Sequence, residues 1–236
     1  CATKDGTVAL ARSPNKQNSF WVQIEPEQEH GTFVDEGRGT PISFDEHRNV
    51  LVDYNRKTEQ LTPEVLQAII AGFEYACHAG PLCGEPMRQV MVNLIHLELS
   101  PDVVGDSEVM RGVGKAIFGS FLTANPTLLE PVYRIIITVA SEHVGDCSRI
   151  LQTKRGKVIN FEQKGLLTQI TGYIPVAETF GFSKELRSAT SGRAVWQSLF
   201  DHWEKVPQKQ ALEVVTELRK RKGLAVDVPK PEKFME

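Results

Sequence analysis

Val132-Tyr133-Arg134-Ile135-Ile136-Ile137-Thr138-Val139 is the stretch on which the fold turns. Its β-branched run, with three consecutive isoleucines, reads as a strand. Behind it the period changes, and Val144, Cys147, Ile150 and Leu151 mark one face of a helix. Lys157–Phe161 and Leu167–Ile174 read as strands joined by a turn at Gln163-Lys164-Gly165. Phe182–Ala189 reads as a short helix and Ala194–Trp203 as a last strand. This β-α-β-β-α-β order predicts a ferredoxin-like sandwich, two helices on one face of a four-stranded antiparallel sheet.

Ahead of this segment the pattern is different. Residues 19–25 alternate as a strand after a Ser13–Asn18 loop, and residues 26–41, rich in Glu, Gly and Pro, read as a loop. Val50–Tyr54 is a short strand after a turn at His47-Arg48-Asn49. Thr62-Pro63-Glu64 opens a helix with a hydroxyl cap, a proline in the first turn and an acid at the positive dipole end. Val65, Leu66, Ile69, Ile70, Phe73, Ala76 and Cys77 carry it to Gly80-Pro81. A strand over 89–99, apolar on both faces, belongs at the centre of a sheet. Val109, Val113, Ala116, Ile117, Ser120 and Phe121 define a helix ending before Asn125-Pro126. After the sandwich, a helix over 208–222 places Leu212, Val215 and Leu218 on its buried stripe, with Gly223 as its C-cap. The fold class is α+β, with a mixed α/β unit over 1–127, the sandwich over 128–206, and a C-terminal helix and tail over 207–236 that packs back on the first unit.

The chain has 236 residues, 41% hydrophobic and 24% charged, which is the composition of a protein with a substantial core. No apolar run approaches the roughly 20 residues that span a bilayer, and no secretory signal layout opens the chain. Four cysteines are too few for a disulfide framework, and their spacing matches no zinc motif, so they read as reduced thiols in a cytoplasmic protein. Residues 1–127 carry 10 Lys+Arg against 17 Asp+Glu, and residues 128–236 carry 17 against 13. The basic half suits phosphate and the acidic half does not.

Gly112-Val113-Gly114-Lys115 resembles a phosphate loop only at its end. The motif needs a glycine five positions before the Gly-Lys pair and a hydroxyl after it, where Val109 and Ala116 stand. The six histidines are scattered, and the carboxylate pairs Glu98/Asp102 and Asp201/Glu204 read as solvated faces and caps. No active-site constellation emerges.

Thr123-Ala124-Asn125-Pro126-Thr127-Leu128-Leu129-Glu130-Pro131 resembles the C-terminal half of archaeal and eukaryotic elongation factor 2, as do Ser13-Pro14-Asn15-Lys16, Lys154-Arg155-Gly156-Lys157 and Lys220-Arg221-Lys222-Gly223-Leu224. The resemblance covers nearly the whole chain. It implies domain IV, whose tip enters the decoding centre, followed by ferredoxin-like domain V, which faces the stalk base and sarcin–ricin region. One family tip loop reads Ser-Pro-Asn-Lys-His-Asn. Here Ser13, Pro14, Asn15, Lys16, Gln17 and Asn18 stand in it, with Gln17 replacing the histidine. From the residues alone this is a polar surface turn; the resemblance implies that Asn15, Lys16 and Asn18 donate to phosphates and sugar hydroxyls.

The second loop should carry the histidine that becomes diphthamide. The corresponding residues, Ser100-Pro101-Asp102-Val103-Val104-Gly105-Asp106-Ser107-Glu108, are about two shorter than the family loop and contain none. By its place in the tip the resemblance still makes Asp102, Val103, Val104, Gly105 and Asp106 ribosome-contact residues, although Asp102, Asp106 and Glu108 would repel rRNA phosphate. In domain V the resemblance assigns RNA contact to Lys154, Arg155 and Lys157.

The resemblance thus implies a ribosome-binding segment of a translational GTPase, acting in translocation or a related remodelling step without diphthamide. Its partners would be rRNA of both subunits, with tRNA and mRNA at the decoding centre, and no membrane. It implies a monomer that is not itself an enzyme and holds no cofactor, GTP and magnesium belonging to an upstream domain. A free-standing RNA- or protein-interaction module with no GTPase domain is the alternative.

Overall fold

The computed structural model describes residues 1–27, 39–54, 57–101 and 106–236. They form two compact units: Cys1–Leu128 with Pro207–Glu236, and Leu129–Val206. The second unit interrupts the first in sequence.

The first unit is a five-stranded sheet with helices on one face. Its strands are β1 (Ala9–Arg12), β2 (Ser19–Pro26), β3 (Thr40–Phe44), β4 (Val50–Asp53) and β5 (Val90–Glu98), in spatial order β1-β2-β5-β4-β3. β5 is central, antiparallel to β2 and parallel to β4, as its apolar faces require. The parallel pair is joined through α1 (Pro63–His78), and α2 (Asp106–Thr123) lies beside α1 over the same core. Phe20, Val22, Ile24, Leu51, Val92 and Leu94 face Ile69, Phe73, Val113 and Ile117 across that core. Gly112 sits against the Phe20 ring, where a β-carbon would collide. The Gly112–Lys115 segment is thus helix interior, in line with its apolar periodicity.

Two strands were not legible. β1 is short, and β3 replaces the end of the loop expected over 26–41; residues 28–38 of that loop lie outside the described residues. Register shifts between Trp21 and Val22, leaving Ile95 as an extra residue in β5 and setting Trp21 directly opposite His96.

The last helix, α5 (Gln208–Arg221), differs from expectation in the face it buries. Ala211, Val215 and Arg219 are inside, while Leu212 is 65% exposed. The reason is Arg219, whose guanidinium donates to the carbonyls of Ala225 (2.6 Å), Leu82 (2.8 Å) and Pro81 (3.2 Å). Lys222 extends the attachment to Glu85 at 2.6 Å. Gly223, at φ 68°, is the left-handed residue ending α5, and Leu224 N–H closes the turn on Arg219 O at 2.9 Å. The C-terminal residues finish on the same unit, with Glu236 N–H donating to Leu10 O at 3.0 Å and Phe234 edge-on to Phe118.

The second unit is the expected ferredoxin-like sandwich. β6 (Leu129–Ala140), β7 (Lys157–Lys164), β8 (Leu167–Pro175) and β9 (Val195–Lys205) pair antiparallel in order β7-β8-β6-β9. Its helices α3 (Val144–Thr153) and α4 (Phe182–Ala189) contribute Cys147, Ile150, Leu151, Phe182 and Leu186 to a core with Ile135, Ile137, Ile170 and Ile174. The β7–β8 hairpin is longer than the sequence reading. Pairing continues to Lys164↔Leu167, so the turn is Gly165-Leu166, with Gly165 at φ 66° as a two-residue hairpin loop demands.

Candidate functional site

The loop between β1 and β2 is built from within. Ser13 and Asn18 are buried, at 1% and 0% exposure, so they shape the turn instead of facing a ligand. Ser13 Oγ donates to Asn15 Oδ1 (2.5 Å) and accepts from Asn18 N–H (3.1 Å). Asn15 Oδ1 also accepts Gln17 N–H at 3.0 Å. Lys16 takes the left-handed conformation, φ 59°, and its N–H returns to Ser13 O at 2.8 Å. The donor role expected for the Asn18 side chain is therefore corrected. Its Oδ1 accepts Ser100 N–H at 3.0 Å and its Nδ2 donates to Ser13 Oγ at 3.3 Å. Pro14, Asn15, Lys16 and Gln17 are the exposed residues of the loop.

Two bonds join this loop to the chain after β5, one at the residues following the strand and one in the first turn of α2. One is Asn18–Ser100; the other runs from Asn15 N–H to Glu108 Oε2 at 2.8 Å. Glu108, read from sequence as a repelling carboxylate, instead holds the first loop in place. Asp106 is exposed in the first turn of α2. Asp102, Val103, Val104 and Gly105 lie outside the described residues. His96 is on β5, where its ring lies 4.9 Å from that of Trp21. Sequence reasoning missed Ser100 and Glu108 as loop supports, because nothing local announces a bond across more than 80 residues of chain.

The second unit brings Lys154, Arg155 and Lys157 together after α3. α3 ends in a Schellman turn, with Gly156 N–H on Leu151 O at 2.8 Å and Arg155 N–H on Gln152 O at 3.1 Å. The left-handed position, φ 55°, is occupied by Arg155 and not by glycine. Gly156 is needed for a different reason: a β-carbon there would come within 2.6 Å of Leu151 O. All three cations meet carboxylates. Arg155 makes a two-pronged contact with Glu130, at 2.7 and 2.8 Å, and a third bond to Glu178 at 2.8 Å. Lys154 meets Glu185 at 2.9 Å and Lys157 meets Glu204 at 2.6 Å. The hydrogen bonds Arg155 donates to Glu130, with the one to Glu178, push its pKa further up against the opposing effect of burial.

The described residues thus form two α+β units, each with a loop or turn fixed by its own hydrogen bonds. Comparison with known proteins names their kind. Residues 40–125 match the family model for elongation factor G, domain IV, and residues 127–214 match that for the elongation factor G C-terminus. The chain is 37% identical over 258 residues to elongation factor 2 of Korarchaeum cryptofilum, covering 97% of this chain and 35% of that protein. To elongation factor 2 of Methanopyrus kandleri it is 36% identical over 251 residues, 95% of this chain and 20% of that one. The chain thus spans about a third or less of the curated relatives it matches. A crystal structure of a Thermus thermophilus protein shares the fold, with a TM-score of 0.71 at 23% identity over 93% of this chain and 31% of that one. This chain belongs to the elongation factor G/elongation factor 2 family, of which it carries domain IV and the C-terminal domain.

Proposed function

We propose that this chain is the ribosome-contacting portion of an elongation factor 2-type translational GTPase, working in translocation or a related remodelling of the ribosome. The tandem of domain IV and C-terminal domain is the observation that carries the reading, since it makes up most of the chain. In this reading the GTP-hydrolysing domain and its magnesium belong to another part of the polypeptide, and the factor works in the cytoplasm, where ribosomes are. The first unit presents a preorganised loop. Asn15, Lys16 and Gln17 offer donors and acceptors to RNA on a backbone already fixed by Ser13, Asn18 and Glu108, so little ordering entropy is lost on contact.

A specialised paralogue is the form of this function that the sequence favours. No histidine stands between His96 and His143, so diphthamide has no attachment point in the second loop. Translocation measured with the full-length polypeptide on its own ribosomes tests the proposal. Wild-type protein should bind ribosomes and either advance mRNA or drive another remodelling step. Replacing Asn15, Lys16 and Gln17 together by glycine should weaken whichever activity is present. Failure to bind ribosomes in any nucleotide state would refute the reading and leave a free-standing interaction module.

A further inference from the structure

α1 and α2 run in the same direction, since Gly72 of α1 meets Met110 and Val113 of α2 and, a turn further on, Tyr75 approaches Gly114 and Phe118. At Gly72 the approach is so close that a β-carbon would come within 2.7 Å of Met110 O. On the N-terminal side of that contact lies an open groove of about 690 Å³. Ala68, Ala71 and Met110 supply its apolar surface, and Glu64, Gln67 and Asp106 stand around it. Among the described residues no lysine or arginine lines it.

Two helix N-termini side by side would ordinarily attract a phosphate. Here each first turn already holds a carboxylate, Glu64 on α1 and Asp106 on α2. Glu64 is held below the ordinary carboxylate range by a backbone hydrogen bond, with help from Thr62, so it stays anionic. The surrounding field agrees, because the unit containing the groove has 17 Lys+Arg against 22 Asp+Glu. An RNA backbone is repelled from such a place; a cation with an apolar body is not. Small alanines leave room for side chains to enter, and a methionine adapts to their shape.

We propose that this groove docks a basic, amphipathic segment of a partner protein. Apolar side chains one helical turn apart would sit on Ala68, Ala71 and Met110, and flanking lysines or arginines would pair with Glu64 and Asp106. The site goes beyond the ribosome reading, and its test involves no ribosome, so either can fail without the other.

The test is methyl NMR of the whole chain labelled on its methionines, with the Met110 signal assigned by Met110→Leu. The probes are a synthetic lysine–leucine amphipathic peptide and oligouridylate. The lysine–leucine peptide should move the Met110 methyl and oligouridylate should not. Glu64→Gln with Asp106→Asn should weaken the peptide about 3- to 10-fold at low salt, and Ala71→Arg, which fills the groove and reverses its charge, about 10-fold or more. Glu213→Gln, on α5, should change nothing. If Ala71→Arg does not fold, the charge-neutral pair of substitutions decides. The proposal is overturned if the peptide leaves Met110 unmoved, if the groove variants bind like wild type, or if oligouridylate moves Met110 as the peptide does.

Discussion

Replacing Arg155 separates two opposed energies at one residue. As the left-handed residue of the α3 turn, at φ 55°, it carries backbone strain of roughly 1 kcal/mol that glycine would not. Against this stand three charge-assisted bonds to Glu130 and Glu178. Glu130 is only 12% exposed in its side chain, while Arg155 and Glu178 keep about a quarter. Removing one partner of a fully buried pair costs about 3–5 kcal/mol. Solvent reaches this pair in part, so about 2–3 kcal/mol is the appropriate figure. Arg155→Ala should therefore lose about 2–3 kcal/mol, because it keeps the strain and loses the pairing. Arg155→Gly should lose only about 1–2 kcal/mol, since relief of strain offsets part of the loss. The guanidinium pKa is raised by its carboxylate partners, so its contribution is full at neutral pH and on the alkaline side would fade only above the ordinary arginine range.

The assay is urea unfolding read by Trp196, which packs edge-on against Phe182 in the core of that unit, in a Trp21→Phe, Trp203→Phe background. With a urea slope near 1 kcal/mol/M for so small a unit, Arg155→Ala should lower the midpoint by about 2–3 M and Arg155→Gly by about 1 M less. Equal loss in the two variants would refute the strain component. A neutral Arg155→Ala would refute the pairing.

Arg219→Leu should destabilise the first unit by about 2–4 kcal/mol because three carbonyls lose their donor, and Arg219→Lys should recover only part of it. Trp21 fluorescence in urea reads this, and a lysine variant equal to wild type would contradict it. Asn93 is buried in β5 with neither amide atom bonded among the described residues. Asn93→Leu should therefore raise stability by about 1–2 kcal/mol, and a fall in the unfolding midpoint would show that the amide is bonded. Cys77, Cys83 and Cys147 are buried and their pKa values are raised, chiefly by burial. A thiol reagent should modify Cys1 quickly and these three only on unfolding. The raised values also mean that the thiols' contribution is intact below the ordinary cysteine value of 9.0 and is lost as pH rises beyond it. Calorimetry should show the melting temperature falling above that pH, and a flat profile would contradict it.

What was legible in the sequence was local. The sandwich could be read because its strands and helices switch period within short spans, as at Val139 and Val144. Thr62-Pro63-Glu64 announced α1 through its proline and first-turn acid, which act over one turn; Thr62 does stand at the N-cap, but its hydroxyl does not make the capping bond the sequence suggested. β3 was hidden by Pro41, which usually argues against a strand but is tolerated at the sheet edge where β3 lies. On α5, periodicity chose Leu212, Val215 and Leu218. The structure turns Arg219 inward because three loop carbonyls await a donor there, a fact carried by Pro81, Leu82 and Ala225 and by nothing in the helix. The turn over Ser13–Asn18 was legible as a turn, but the division of labour within it was not. Ser13 and Asn18 look as exposed as Asn15 in sequence, yet both are buried, and Asn18 is bonded to Ser100, far along the chain.

The paired cations change how contact with RNA should be costed. Lys154, Arg155 and Lys157 look, as a string, like a phosphate-binding run, and a free run would give binding that falls steeply with salt through counterion release. Each of them instead already has a carboxylate. A phosphate must displace Glu185, Glu130 or Glu204, and the displaced carboxylate then returns as a repelling neighbour. Arg155 is the least able to exchange, being held by three bonds at the end of a helix. Lys157, with 66% of its side chain exposed, is the most able. The exposed part of the first loop offers one cation, Lys16, among neutral side chains on a fixed backbone. In the proposed function, RNA contact through either surface would therefore rest more on shape and hydrogen bonding than on charge. Under the proposals above, two neighbouring surfaces at the start of α2 would take different partners: the loop that Glu108 holds offers mainly neutral polar groups, and the groove beside it offers Glu64 and Asp106, where a basic protein segment gains what RNA would lose.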